Sequence, residues 1–315
     1  MTTPLNRRDV LKLGGGVLAM AALGQSAGGA EGDAKPDAPK PDAPRPKRAL
    51  KKAVMWDMIG AGKTVLEKFE ALKEAGFDGV EMNSPSNIPV DEVKAACATT
   101  GMLVEGVVDS VHWQQTLSHN SPEMRAAGLK GLETALRDCK AMGGTSVLLV
   151  PGVVDKSVSY DDCWKRSQEQ IRKAVPLARE LGVKIAIENV WNHFIMSPLE
   201  AARYVDEFEA PDVVGWHFDI GNVIVYGWPA QWVRILGKRI VKLHIKEFSR
   251  AKANNEGLWK GFNVELTDGE DNDWPAVVKA LDDIGYNTWA CAEVGGGDLK
   301  RLKFVNERMN RILAM

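Results

Sequence analysis

The chain is poor in several residue patterns that carry common chemistries. Its four cysteines, Cys97, Cys139, Cys163 and Cys291, are scattered and form no CxxC pair. That argues against zinc-finger ligation and fits buried thiols. Histidines number only five, few for a site holding several zinc ions. A net charge of -2 leaves no basic surplus, so neither a phosphate backbone nor an anionic membrane surface is an expected partner. The GxGxxG and P-loop spacings are missing after the first apolar run of the folded part. Ile59-Gly60-Ala61-Gly62-Lys63 is only a loose echo of them. The apolar run Leu13 to Leu23 is too short and too glycine-rich for a comfortable membrane span.

What is present begins with an address. Arg7 and Arg8 stand just before that apolar run, and Ser26-Ala27-Gly28-Gly29-Ala30 follows it. The arrangement resembles a twin-arginine export signal over residues 1–30. It implies a periplasmic or otherwise exported protein with no stable membrane insertion after processing; an uncleaved anchor is the alternative. Residues 31–48 contain the near-repeat PDAPKPDAPRP. Proline fixes φ and removes donors, so this stretch reads as an extended, disordered spacer. The folded domain is expected over 49–315.

From Lys51 onward short apolar runs alternate with longer helical patterns. Strands are predicted at Lys52–Met58, Phe77–Met82, Met102–Asp109, Thr145–Val150, Lys184–Asn189, Val213–Asp219, Ile240–Lys246 and Thr288–Glu293. Helices between them stop at Gly76, Gly101, Gly143 and Gly182 or start at Pro122, Pro198 and Pro229. Ser249 to Asp271 reads as a long polar segment. Eight strand–helix pairs in one series predict a single-domain α/β fold, a (β/α)8 TIM barrel; an open doubly wound sheet is the rival.

In such a barrel the chemistry sits at the C-terminal strand ends. Glu188, Asp219, His244 and Glu293 all fall there, on strands five to eight. Period two puts His217 and Asp219 on one face and Val214, Trp216 and Phe218 on the other. Three carboxylates in one barrel mouth repel each other, and burying them unpaired is costly. One divalent cation resolves both problems. Three carboxylates with one imidazole suit manganese best, with magnesium, cobalt or zinc as further candidates. Alternatively, each carboxylate pairs separately with a base such as Lys184, Lys242 or Lys246.

Taken in order, FDGVEM, KIAIEN, HFDIGN, KLHIKE with Arg250, and DWPAVVKALDDIGYNTWACAEV resemble the xylose isomerase-like barrel superfamily. The resemblance is to its sugar (or sugar-phosphate) isomerase/epimerase branch, which includes tagatose-type 3-epimerases, hydroxypyruvate isomerases and inosose dehydratases. It implies that Glu188, Asp219, His244 and Glu293 are metal ligands, that Glu188 and Glu293 double as an acid/base pair, and that Arg250 holds substrate oxygens. Two family positions depart. Phe194 stands where the 3-epimerases carry a glutamate, and Asn222 where they carry a histidine.

Other candidates are read from position alone. Glu81 ends strand two and could bind a hydroxyl or form a salt bridge. His112 follows strand three and could shuttle protons or lie on the surface. His217 could contact substrate or support a ligand, and Lys246 could polarise a carbonyl. Gly295-Gly296-Gly297 could hold a phosphate ahead of the last helix, or be a plain turn. The implied activity is isomerisation or epimerisation of a keto sugar or sugar phosphate through an enediolate. A lyase, dehydratase or hydratase on a keto sugar or 3-keto-glycoside is the alternative, and a non-catalytic sugar-binding protein is an alternative of another class. A small sugar is the expected partner; a homo-oligomer is compatible with the reading, and nucleic acid is not.

Overall fold

A computed structural model describes residues 49–315. The expectations for 1–30 and 31–48 lie outside the described residues. Eight parallel strands close into a barrel in sequence order. They are β1 (Lys51–Met55), β2 (Gly79–Ser84), β3 (Leu103–Asp109), β4 (Ser146–Leu149), β5 (Lys184–Glu188), β6 (Val214–Asp219), β7 (Ile240–Ile245) and β8 (Trp289–Ala292). The ring closes where β1 pairs with β8, Ala53 opposite Cys291, so the sheet keeps no free edge. The helices, in chain order, are α1 (Val65–Ala75), α2 (Val90–Thr100), α3 (Pro122–Met142), α4 (Tyr160–Leu181), α5 (Pro198–Asp206), α6 (Ile220–Ile224), α7 (Pro229–Leu236), α8 (Arg250–Glu256), α9 (Trp274–Asp283) and α10 (Leu299–Leu313).

Local chemistry sets these boundaries. Thr64 and Glu67 form a reciprocal capping box at the start of α1. Ser121 and Ser197 cap α3 and α5, each followed by proline at the first helical position. At the end of α1, Gly76 takes φ 90° and its amide reaches the carbonyls of Leu72 and Lys73, a conformation that a side chain would strain.

Three details differ from the sequence reading. The first strand ends at Met55 and turns into a short 3-10 segment at Trp56–Met58. The five-residue α6 follows directly on β6, capped by Asp219. The polar stretch after β7 is not featureless: it holds α8 and a 3-10 turn at Leu258–Phe262. All four cysteines are free thiols, and all but Cys97 are buried. Among the described residues no helix is long and apolar enough to cross a membrane.

The outward strand faces and the inward helix faces form one apolar layer. Val54, Val80, Ile185, Ile187, Trp216, Phe218, Leu243 and Ile245 meet Phe69, Leu72, Leu132, Ile171, Trp232 and Leu302 there. Inside the barrel the apolar material is small: Ala53, Trp289 and Cys291, with Met55 against them. Beside it the interior carries many polar groups, including buried Glu81, Glu105, His217, Lys242 and His244. Lys242 reaches across from β7 to β3, where its ammonium donates to the Glu105 carboxylate and, at 2.6 Å, to the Glu105 carbonyl. Such a pair is tolerable in a dry interior only because each charge meets the other.

Candidate metal centre

Register brings the strand ends level. Glu188 on β5 lies opposite His217 on β6, and Asp219 lies opposite His244 on β7. Glu293 follows β8, its amide bonded to the Ile245 carbonyl at 3.2 Å. One ligand atom from each of Glu188, Asp219, His244 and Glu293 lies within 4.8 Å of every other. His244 Nδ1 sits 3.1 Å from Glu188 Oε1 and 2.9 Å from Glu293 Oε2. Lys246 Nζ closes the group, 2.9 Å from Glu293 Oε1 and 3.5 Å from Asp219 Oδ2. The four residues that the sequence singles out as ligands are therefore brought together.

The cluster carries the marks of a cation site. Asp219 Oδ1 accepts from the Asn222 amide at 2.8 Å, but Asp219 Oδ2 is buried without a hydrogen bond, and so is Glu293 Oε2. Each has only an ion-pair contact, with Lys246 and with His244 respectively, and buried carboxylate oxygens short of hydrogen bonds are costly inside a protein. Burial pushes the Asp219 carboxyl well above its ordinary range, against the pull of Lys246, and raises Glu188 despite His244. At Glu293 burial acts the same way, but Lys246 and His244 outweigh it and hold the group well below its usual value. Burial alone would lower the His244 pKa; Glu81 and the surrounding carboxylates reverse that and hold it well above. Two cationic side chains thus partly offset three carboxylates. Three oxygen donors and one imidazole nitrogen, with two oxygens unsatisfied, fit a divalent cation.

Behind the ligands lies a support layer. Glu81 does not face the cavity, where its position suggested contact with a hydroxyl. Its Oε2 lies 2.9 Å from His244 Nε2 on the far side of the ring, and its side chain is 2% exposed. A carboxylate there fixes the ring's orientation and leaves Nδ1 to the ligand side. His217 is fully buried, its ring centroid 4.1 Å from that of His244. Neither of its ring nitrogens has a hydrogen-bond partner. Burial keeps it neutral by driving its pKa far down.

Above the ligands opens a cavity of about 730 Å³ whose lining includes Met55, Val108, Leu148, His112, Asn222 and Lys246. His112 Nδ1 accepts from the Val150 amide at 3.3 Å, and burial pushes its pKa down to about 3. It is a neutral ring with Nε2 as its donor nitrogen, which suits hydrogen bonding to a hydroxyl better than proton shuttling. Asn222 donates to the Asn189 carbonyl and accepts from the Trp191 indole at 2.8 Å.

Arg250, assigned by resemblance to substrate oxygens, is placed elsewhere. Its guanidinium donates to the carbonyls of Ile224 and Gly227, both at 2.7 Å, and stacks on Trp228. It is absent from the cavity lining. Arg301 lines the cavity instead, held by Glu265 at 2.7 Å and the Gly295 carbonyl at 2.8 Å. Nothing in the helical pattern of α10 marks Arg301, although the glycine run just ahead of it was visible. That run packs against the loop after β1: the Gly297 amide donates to the Met58 carbonyl at 3.0 Å and the Gly60 amide to the Gly297 carbonyl at 2.8 Å. At the start of α10 the Arg301 amide is capped by the Asp298 carboxylate, and Gly295 lines the cavity. Phe194 turns away from the mouth into the apolar layer, against Tyr160, Trp164 and Tyr204. Trp191, Trp259 and Phe262 also line the cavity, and periodicity gave no sign of them.

A family model for the xylose isomerase-like TIM barrel matches residues 69–310. The chain is 27% identical over 160 residues to the 3-dehydro-D-guloside 4-epimerase of Escherichia coli (strain K12), covering 46% of this chain and 60% of that protein. It is 21% identical over 284 residues to an inosose dehydratase of Clostridium perfringens, covering 80% of this chain and 92% of that one. The crystal structure of apo 3-keto-D-glucoside 4-epimerase, YcjR, from E. coli superposes with a TM-score of 0.70 at 20% identity, over 84% of this chain and all of the other. At that identity the likeness speaks for the fold.

Proposed function

The chain belongs to the xylose isomerase-like TIM barrel family, and on that premise we propose that it is a metal-dependent sugar epimerase or isomerase acting on a keto sugar through an enediolate. One observation carries the reading: Glu188 and Glu293 approach the same His244 nitrogen, at 3.1 and 2.9 Å, at the floor of an open cavity. Glu188, Asp219, His244 and Glu293 are the residues that would hold the cation, with manganese the best match to the donor set. When bound, it supplies Lewis-acid polarisation of a carbonyl and its neighbouring hydroxyl, acidifying the carbon between them.

The side chains do the rest. One glutamate takes the proton from that carbon, and the electron pair moves onto the carbonyl oxygen. The other glutamate returns a proton: for epimerisation to the opposite face of the same carbon, as the electron pair returns from the oxygen and the carbonyl re-forms; for isomerisation to the former carbonyl carbon, while the neighbouring hydroxyl's proton passes to the first oxygen and the carbonyl re-forms one carbon along. Lys246 keeps Glu293 ionised and offers a donor to the developing oxyanion. His112 and Asn222 orient hydroxyls as neutral partners.

A second reading, a lyase or dehydratase using the same enediolate, draws support from Phe194, which contributes nothing to the cavity at the family glutamate position. The same proposal places the protein outside the cytoplasm, on the strength of Arg7-Arg8 and the run after them. The test is incubation of the manganese-loaded protein in deuterated water with a panel of ketohexoses and 3-keto-glycosides, read by mass spectrometry. Epimerisation gives a diastereomer one mass unit heavier, abolished by a chelator. Loss of water or of an aglycone selects the lyase. Binding without exchange, alike in wild type and Glu188→Gln, makes the protein a sugar binder.

A further inference from the structure

We infer that the cavity mouth carries a second, aromatic subsite for the ring that a glycosidic bond attaches to the keto sugar, so that the substrate class is a keto-glycoside rather than a free monosaccharide. The chemistry of this inference rests on the function proposed above; the ring-binding surface does not.

The surface is built from Trp191, Trp259 and Phe262. Ring centroids lie 4.7 Å apart for Trp191 and Trp259, 4.9 Å for Trp191 and Phe262, and 6.3 Å for Trp259 and Phe262. Trp259 remains 68% exposed and the neighbouring Leu258 50%. A lone exposed apolar side chain is ordinary. Three mutually packed rings on the wall of a cavity that also holds Glu188, His244, Lys246 and Glu293 are not, and though tilted 37 to 48° to one another they offer an apolar surface to the C–H side of a pyranose or to an aryl group.

Two contacts make the platform continuous with the ligand cluster. The Trp191 indole donates to the Asn222 carbonyl at 2.8 Å, and the Asn222 amide donates to Asp219 Oδ1 at 2.8 Å. Phe262 lies 4.7 Å beneath the Lys246 ammonium, which is bonded to Glu293. The apolar surface therefore adjoins the ligand cluster through Asn222 and Lys246. The support below is closely packed, with the Phe248 ring 4.9 Å from that of Phe262. A side chain at Gly261 would meet the Phe248 ring at 2.3 Å, so the turn is pressed directly onto it. The cavity, about 730 Å³, falls among those that hold drug-sized ligands, roughly 300 to 1,000 Å³, and one hexose leaves much of it empty.

The experiment measures affinity for the manganese-loaded full chain by calorimetry. The probes are methyl, phenyl and glucosyl (disaccharide) 3-keto-β-D-glucosides. Binding of the phenyl or glucosyl probe roughly tenfold tighter than the methyl probe is expected, the scale of one well-packed aromatic face. The phenyl and glucosyl arms separate an aryl aglycone from a second sugar as the natural occupant. Trp259→Ala should bring the ratio close to one, and Phe262→Ala provides a second reading, with circular dichroism confirming that each variant is folded.

Equal affinity for all three probes in wild type overturns the subsite, and so does a ratio that survives both substitutions. Trp259 shielded by a second copy, seen as a concentration-dependent mass in light scattering, overturns it as well. The two proposals fail separately. A retained ratio preference without deuterium exchange on any probe removes the epimerase and keeps the subsite. Exchange with equal kcat/KM on free keto sugars and keto-glycosides does the reverse.

Discussion

Along β6 neighbouring side chains have opposite surroundings. Val214, Trp216 and Phe218 enter the apolar layer under the helices. His217 and Asp219 enter the barrel, fully buried among other polar groups. The strand is one object with two environments, and the same division runs through β5 and β7. Removing apolar area from water stabilises the outer face. Desolvated charge makes the inner face costly until something neutralises it. Alternation lets substitutions that damage one function spare the other, and that separation can be tested from both sides.

The largest effect is expected inside. Glu188→Gln keeps the shape and removes one member of the acid/base pair, and turnover should drop about 10²- to 10⁴-fold. The unfolding midpoint of the metal-free protein should hold or rise, since one of three crowded carboxylates is gone. A large loss of stability in calorimetry would contradict the division of labour. Outside, Phe218→Ala removes a ring that is fully buried and stacked on Trp232. Chemical denaturation should show a loss of about 3–5 kcal/mol, while manganese affinity stays within a few-fold although Asp219 is the next residue.

Glu81→Gln probes the support layer. Isothermal titration should show manganese affinity weakened about 10- to 100-fold, with the fold intact. An unchanged affinity would mean that His244 holds its orientation without Glu81.

The smallest effect tests the exception to the rule. Asp109 is a buried carboxylate on the outer side of β3, facing Gly131 of α3 and accepting from the Val111 amide. Burial pushes its pKa up from 3.8 to about 7. The folded state therefore favours the protonated form. This group's contribution is fully present below its unfolded pKa and is lost as pH rises through about 7. Asp109→Asn should flatten that part of the stability profile and raise Tm at pH 8 by a few degrees, about 2–4 °C. Parallel wild-type and variant curves between pH 4 and pH 8 would assign the slope to other groups.

Much of this arrangement could be read from the chain alone. The eight strands and the larger helices declared themselves through period-two and helical spacing, and the stops at Gly76 and Gly182 were marked by residue type. Ligand candidates stood out because Glu188, Asp219, His244 and Glu293 occupy equivalent strand ends. The short α8 escaped because none of its residues is buried, so it has no apolar stripe to detect. Its neighbour, the turn at Leu258–Phe262, buries only Gly261, yet it carries the aromatics of the cavity wall. Glu81 reads as a strand-end acid when β2 is taken to stop at Met82; the strand runs on to Ser84, which sets Glu81 mid-strand and behind His244 rather than beside the cavity. Arg250 has the right offset from His244, and local carbonyls at Ile224 and Gly227 captured it; no spacing rule contains that competition.

The bond from Lys242 to Glu105 spans strands on opposite sides of the cylinder, at a level about 7 Å beneath His244. It behaves as a spoke in a hoop. Strand number and stagger fix the ring's width, and a single lysine reaching from wall to wall fills it at that level, so the carboxylates above stand on a floor closed by two residues that never touch what binds between them.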